Sequence, residues 1–408
     1  MTGATIAQAI PIAISPILTR MYTPQDFGVL SLFASIVTIF GTVATMRYEL
    51  AIMLPDSEDD GLNVGVLGVL TTTILTLILF LVVLFFNGPV SRLLANKRVE
   101  PELIAPWLYL VPASVFLIGL FNVLNYVNNR SKNYKHIAVA GVHRSMALAA
   151  TQLGVGFVQE GACGLIVGRV LSGFASVILL LRNVLSTRDL RSKISWSRMV
   201  KLGVRYRDFP IYSTPAALSN TSATNLTNIL VAAFFSPTTL GFYSMTQRML
   251  GMPSTLIGRG VSQVFFQQAT EEKNRSGVAI RIFDKTVNRL ALIAVPFFVV
   301  LFFIVEDLFA LVFSEEWRVS GVYASYLIPL FAIRFVVSAV SMTNIVFEKQ
   351  KLGLAWQLGL FVVAIGSVFC SNWAGVSFEQ FLVIFTCVCF AHYLLYYFLL
   401  RAVAQGRL

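Results

Sequence analysis

Twelve apolar runs separated by short polar links divide this chain, at 1–19, 28–46, 61–86, 103–127, 137–158, 161–181, 209–235, 239–264, 290–313, 321–346, 353–371 and 378–400. Each is long enough, at about 1.5 Å per residue of helix, to cross most or all of a hydrocarbon core of about 30 Å. Inside that core the backbone must satisfy its own hydrogen bonds, so runs of this length read as helices. The expected fold is an all-α polytopic membrane protein. Charged residues make up only 12% of the chain, against about 25% in soluble domains.

The net charge of +11 does not point to nucleic acid, because the basic residues sit mostly in the links. With the N-terminus in the cytoplasm, the inside links hold 21 Lys and Arg and the outside links five: Arg20, Arg92, Lys97, Arg98 and Arg318. That asymmetry predicts cytoplasmic N- and C-termini. Cys163, Cys370, Cys387 and Cys389 lie within or at the ends of spans and show neither metal-ligand nor disulfide spacing. No cofactor or metal is expected. An enzyme is disfavoured too, since the longest external link, 87–102, is short for housing catalytic groups and no nucleophile elbow is present.

Thr23-Pro24-Gln25-Asp26-Phe27-Gly28 recurs as Ser236-Pro237-Thr238-Thr239-Leu240-Gly241, 213 residues later. In both copies Pro ends one helix and Gly permits close packing of the next. The echo predicts two six-helix lobes, 1–181 and 209–408, joined by a basic cytoplasmic linker at 182–208. Parallel repeats of this kind commonly place substrate at the repeat interface, so a central cavity is expected.

Five arginines fall inside the apolar runs: Arg144, Arg169, Arg248, Arg259 and Arg334. A mid-bilayer arginine costs roughly 2.5–3.5 kcal/mol on insertion scales, and such residues usually face a bundle interior or a water-filled path. Arg248 and Arg259 are eleven residues apart, close to three turns of one helix, and the repeat offset sets Arg47 within one position of Arg259. Arg20 ends the first run. Arg20, Arg47, Arg248, Arg259 and Arg334 are therefore the expected cationic residues of the cavity. Arg144 and Arg169, on an expected hairpin with Glu160 near its turn, read more readily as structural than as cavity-lining. The seventh run carries Asn220, Thr224, Asn225 and Asn228 at helical spacing, a face suited to sugar hydroxyls or to interhelical hydrogen bonds.

Ser15-Pro16-Ile17-Leu18-Thr19-Arg20-Met21-Tyr22-Thr23-Pro24, with Asp26-Phe27-Gly28, resembles the N-terminal signature of bacterial polysaccharide flippases, as does Arg47-Tyr48-Glu49-Leu50-Ala51-Ile52-Met53-Leu54-Pro55. Phe209-Pro210, Gly241-Phe242-Tyr243 and the stretch from Pro253 to Phe266 are similar to the second-lobe pattern. These are the O-antigen and capsule repeat-unit translocases of the multidrug/oligosaccharidyl-lipid/polysaccharide (MOP) superfamily. The resemblance implies a MATE-like fold, with two lobes around a cationic cavity. It also implies alternating-access transport of an undecaprenyl-pyrophosphate-linked oligosaccharide, with Arg20, Arg47 and Arg248 directed at the pyrophosphate. Implied partners are that lipid-linked substrate, membrane lipids, and the polysaccharide polymerase and chain-length machinery. It further implies more residues before the first span than this chain carries. A drug or cation antiporter of the same superfamily is the alternative, but it would call for mid-span carboxylates where this chain has arginines.

Overall fold

The computed structural model describes residues 2–94, 101–187, 193–254 and 258–407, and among them every regular element is helical. Each of the twelve apolar runs is predominantly helix. Among the described residues, eight helices are long and apolar enough to cross a membrane by themselves, including Pro24–Val43, Glu58–Leu94, Val111–Arg130, Ile280–Phe313, Gln350–Trp373 and Phe378–Ala404. The four runs that fall short do so for visible reasons. The first is divided into Thr2–Ala13 and Ser15–Met21, with Pro11 and Pro16 at the division. Tyr134–Gly156 and Thr214–Phe234 carry polar residues throughout, and Pro237–Pro253 is only 17 residues long.

Some helices outrun their apolar cores. Glu58–Leu94 continues past a non-helical Phe86 into the expected outside link, and Ile280–Phe313 begins well before its apolar run. Lys97 and Arg98 of that outside link lie beyond the described residues, as do Arg188 and Arg191 of the basic linker.

Packing groups the chain into two compact units, Met1–Gly241 and Phe242–Leu408. Within the first, the Thr214–Phe234 helix packs on Pro24–Val43. Small polar groups make that contact: Thr42 Oγ1 to Thr221 Oγ1 at 3.2 Å, and Asn228 Nδ2 donating to Ser35 Oγ at 3.2 Å.

Thr23 and Asp26 form a reciprocal capping box at the start of Pro24–Val43, the Thr23 hydroxyl accepting from the Asp26 N–H and the Asp26 carboxylate accepting from the Thr23 N–H. The second copy of the repeat is capped likewise, with Ser236 Oγ accepting from the Thr239 N–H at 3.0 Å. These two helix starts meet. Gly28 lies against the Pro237 carbonyl and Gly241 against the Pro24 carbonyl, so close that neither position has room for a Cβ.

The acidic run after the second helix holds the linker. Asp59 pairs with Lys193 at 3.6 Å and Arg198 at 3.4 Å. Asn63, fully buried, donates to the Lys193 carbonyl and accepts from the Ser195 N–H, both at 2.9 Å. Between them they seat an amphipathic helix, Trp196–Arg205, which buries Met199 and Leu202 while Arg198, Lys201 and Arg205 stay exposed. Arg130, from the far end of Val111–Arg130, donates to the carbonyls of Ile52, Pro55 and Ser57 at 2.8, 2.7 and 3.1 Å. One guanidinium thus closes the turn between the second and third membrane helices.

In the second unit the core is aromatic. Trp317 is fully buried against Phe242, and Tyr323 and Tyr243 both pack on Phe378. Gly321 lets the Arg318–Val340 helix approach the backbone of Glu306 on Ile280–Phe313, where an added Cβ would lie 2.5 Å from the Glu306 Cα. Arg401 makes a two-pronged pair with Asp284, both bonds 3.0 Å.

Candidate functional site

Arginine is the chemistry this chain puts where lipid is expected, and the structure sorts its arginines by what each touches. Arg20, at the end of Ser15–Met21, is exposed and donates to the Pro16 carbonyl one turn back at 2.9 Å. Arg47 sits just after Pro24–Val43 at φ 62°, following Met46 at φ 47°, two consecutive left-handed residues that turn the chain sharply into the Tyr48–Ala51 turn. Such positive φ is unfavourable for side chains with a Cβ. Its guanidinium pairs with the buried Glu49 at 3.4 Å, and Thr45 hydrogen-bonds the same carboxylate. Arg47 is thus half-buried with one carboxylate partner, and its Nε has no acceptor.

Arg248 and Arg334 occupy the second unit, on Pro237–Pro253 and Arg318–Val340, and both are exposed although they lie within helices. Arg334 stands over the Phe331 ring at 5.7 Å, a cation–π distance that orients its guanidinium. The expected same-face relation of Arg248 and Arg259 turns on residues 255–257, which lie outside the described residues between Pro237–Pro253 and Arg259–Ser276. The side chain of Arg259 lies outside the described residues, so its expected pairing with Arg47 does too.

The polar face of Thr214–Phe234 divides in two. Asn220 and Thr224 are exposed, Asn225 donates to the Thr221 carbonyl of its own helix at 2.9 Å, and Asn228 is buried on Ser35. The spacing that put Asn220, Thr224 and Asn228 in register is real. However, the Pro24–Val43 helix covers the C-terminal part of the face and leaves the N-terminal part open.

Two cavities lie inside the units. In the second unit, Ser254, Ser262, Gln263 and Ser338, with Phe266 and Met342, line a space of about 970 Å3, counting its wide opening to solvent. The Ser254 and Ser262 hydroxyls are buried without a protein partner. In the first, Arg144, Arg169 and Ser114 line a smaller cavity of about 340 Å3, counting its opening to solvent. Arg144 and Arg169 read in the sequence more readily as structural than as cavity-lining, yet both border this cavity, and Ser114 carried no signal in the sequence. Ser254 and Ser262, eight residues apart in one of the apolar runs, were the sequence signal for the larger one. Among the described residues no group of three or more His, Cys, Asp or Glu is placed to hold a metal ion.

A family model described as "Polysaccharide biosynthesis protein" matches residues 17–321. Solved structures of MOP-superfamily proteins align over nearly the whole chain. An inward-facing multidrug resistance MATE family transporter matches at 14% identity with a TM-score of 0.70, over 99% of this chain and 100% of its own. The lipid II flippase MurJ, in an inward closed conformation, matches at 12% identity and a TM-score of 0.76, over 100% of this chain and 91% of its own. A MOP superfamily transporter from Pyrococcus furiosus matches at 13% identity and a TM-score of 0.58, over 100% of this chain and 94% of its own. No curated protein matches the chain. The fold is therefore that of MOP-superfamily transporters, and the chain is a multi-pass membrane protein.

Proposed function

Because this chain belongs to the polysaccharide biosynthesis protein family, we propose that it is a flippase moving a lipid-linked oligosaccharide across the bacterial inner membrane, for surface polysaccharide assembly. The cargo is an undecaprenyl-pyrophosphate-linked repeat unit of an O-antigen, capsule or exopolysaccharide, carried by alternating access. The chain transports and makes no covalent bond. Both termini face the cytoplasm, and polysaccharide polymerase and chain-length proteins take the cargo onward.

The observation that carries this reading is the exposure of Arg248 and Arg334 inside membrane helices. A guanidinium facing hydrocarbon at mid-bilayer costs several kcal/mol, so exposed arginines at that depth favour a wet path over lipid. Diphosphate is the part of such a cargo that rewards them, through charge-assisted and often bidentate hydrogen bonds. Arg20, Arg47 and Arg259 belong to the same proposed set, with Arg47 already held by Glu49 and therefore the weaker contributor. The glycan needs neutral partners. Asn220 and Thr224 offer exposed amide and hydroxyl groups, and the serine-lined cavity of the second unit offers two hydroxyls in want of a partner.

Deletion in the native host tests the function: lipid-linked oligosaccharide should accumulate facing the cytoplasm and surface polysaccharide should fall. Complementation with Arg248→Glu, expressed at wild-type level, should fail to restore export. Normal surface polysaccharide in the deletion strain would overturn the proposal, and full rescue by Arg248→Glu would remove that arginine from the cargo path.

A further inference from the structure

The linker helix Trp196–Arg205 presents three faces. Met199 and Leu202, with Tyr206 just beyond, form one and are buried against the rest of the first unit. Trp196, Val200 and Val204, four residues apart and so in one row, form the second and are 69, 50 and 62% exposed. Arg198, Lys201 and Arg205 form the third, also exposed. A contiguous apolar row left open beside a basic one marks an interaction surface.

The neighbours of this helix fix where the row lies. Arg198 pairs with Asp59 at 3.4 Å, and the Ser195 N–H donates to Asn63 at 2.9 Å. Gly203 lies against Leu67, and its carbonyl accepts from the Tyr48 hydroxyl at 3.2 Å. Asp59, Asn63 and Leu67 follow one another over about 12 Å of the Glu58–Leu94 helix, at about 1.5 Å per residue. They bracket position 61, where its apolar run begins. The linker helix therefore lies at the edge of the hydrocarbon core, at the level of lipid headgroups, where tryptophan side chains concentrate.

We propose that this helix docks on the bilayer surface and that its two open faces recognise anionic phospholipid. Trp196, Val200 and Val204 enter the boundary between headgroups and acyl chains, while Lys201 and Arg205 reach the lipid phosphates. Charge selects this occupant. From Lys193 to Arg207 the chain carries five basic residues and no acidic one, and basic amphipathic helices of this kind are drawn to anionic membranes. Arg198 contributes least, since Asp59 already holds it. The inference rests on the membrane fold and not on the cargo.

Hydrogen exchange of the full-length chain, read by mass spectrometry, tests it. One copy per nanodisc, which excludes a second copy as the cover, is compared in phosphatidylcholine alone and in an equimolar mixture with phosphatidylglycerol. Exchange across 196–205 should be severalfold slower in the anionic discs. Raising the salt to about 1 M, where the Debye length falls to about 3 Å, should erase the difference. Lys201→Gln combined with Arg205→Gln should lose most of the slowing. The helix Arg259–Ser276, which sets Glu271 and Glu272 beside Lys273 and Arg275, should exchange alike in both discs. Equal exchange of 196–205 in the two discs would overturn the proposal, as would slowing that survives high salt or the double substitution, or the same slowing in Arg259–Ser276. Both substituted side chains are exposed, and the salt comparison needs no variant at all. The readout involves no glycan, so its failure leaves the flippase reading untouched.

Discussion

Gly28 and Gly241 pack reciprocally: a Cβ on Gly28 would lie 1.7 Å from the Pro237 carbonyl oxygen, and one on Gly241 would lie 1.8 Å from that of Pro24. The obstructing atoms are backbone at the starts of two capped helices, so no side-chain rotation relieves the clash. Gly28→Ala and Gly241→Ala should each destabilise by at least the ~1–3 kcal/mol typical of overpacking. Gly141→Ala is the control. Its added methyl meets only Ala7 Cβ at 3.8 Å, and alanine favours helix over glycine by up to ~1 kcal/mol. Differential scanning of the purified variants should rank Gly28→Ala well below Gly141→Ala; equal midpoints would mean the two helix starts separate freely.

Asn220 and Asn228 should part company under mutation. Asn228→Leu removes the bond to Ser35, an interhelical hydrogen bond of the kind that averages ~0.6 kcal/mol in membranes, and should lower the unfolding midpoint slightly. Asn220→Leu, at an exposed position, should leave the midpoint in place and reduce polysaccharide export if that face meets the glycan. Export unchanged in Asn220→Leu, with normal expression, would argue against it.

Asn63 should matter more to the linker than Asp59 does. Its amide satisfies two backbone groups of 193–195 from a fully buried position, and Asn63→Leu strands both at about 1–3 kcal/mol each. Asp59 makes partly exposed ion pairs, for which the usual value is ~0–1 kcal/mol. Limited trypsin digestion near Lys193 and Arg198 should accelerate sharply in Asn63→Leu and little in Asp59→Ala. The reverse order would show that charge rather than the buried amide holds the Trp196–Arg205 helix.

Arg318 joins Asp307, at 2.6 Å, and Glu315 in the link between two helices. The hydrogen bond from Arg318 holds the Glu315 carboxyl below its ordinary range. A depressed folded-state value means the pair stabilises above the unfolded carboxylate pKa, and that stabilisation disappears as pH falls through the lowered value. Midpoints of wild type and Arg318→Gln should differ modestly at neutral pH and converge in acid, since both partners are exposed. A gap that persists undiminished in acid would show that Arg318 acts by packing.

The fold was readable because its determinants are local. The apolar runs form helices as expected; Pro24 and Pro237, read as ending a helix, instead open the next one, and the Thr23–Asp26 and Ser236–Thr239 caps beside them are equally local although they were not foreseen. The six-residue echo also proved physical, yet spacing alone gave no sign that its two copies touch. The site was less readable. A sequence marks an arginine as costly in a membrane and says nothing of its neighbours. Arg47 turned out to be paired with Glu49, and Arg130, read only as a topology signal, grips carbonyls more than 70 residues away.

Sequence by itself determined the helices, their confinement to a membrane and the excess of positive charge within the apolar runs, since propensity, capping and hydropathy depend on residues close in the chain. Tertiary structure alone decided which guanidiniums are neutralised and which share a cavity, as with Arg144, Arg169 and Ser114. Charge interactions and cavities depend on distance in space, and helices far apart in sequence set those distances.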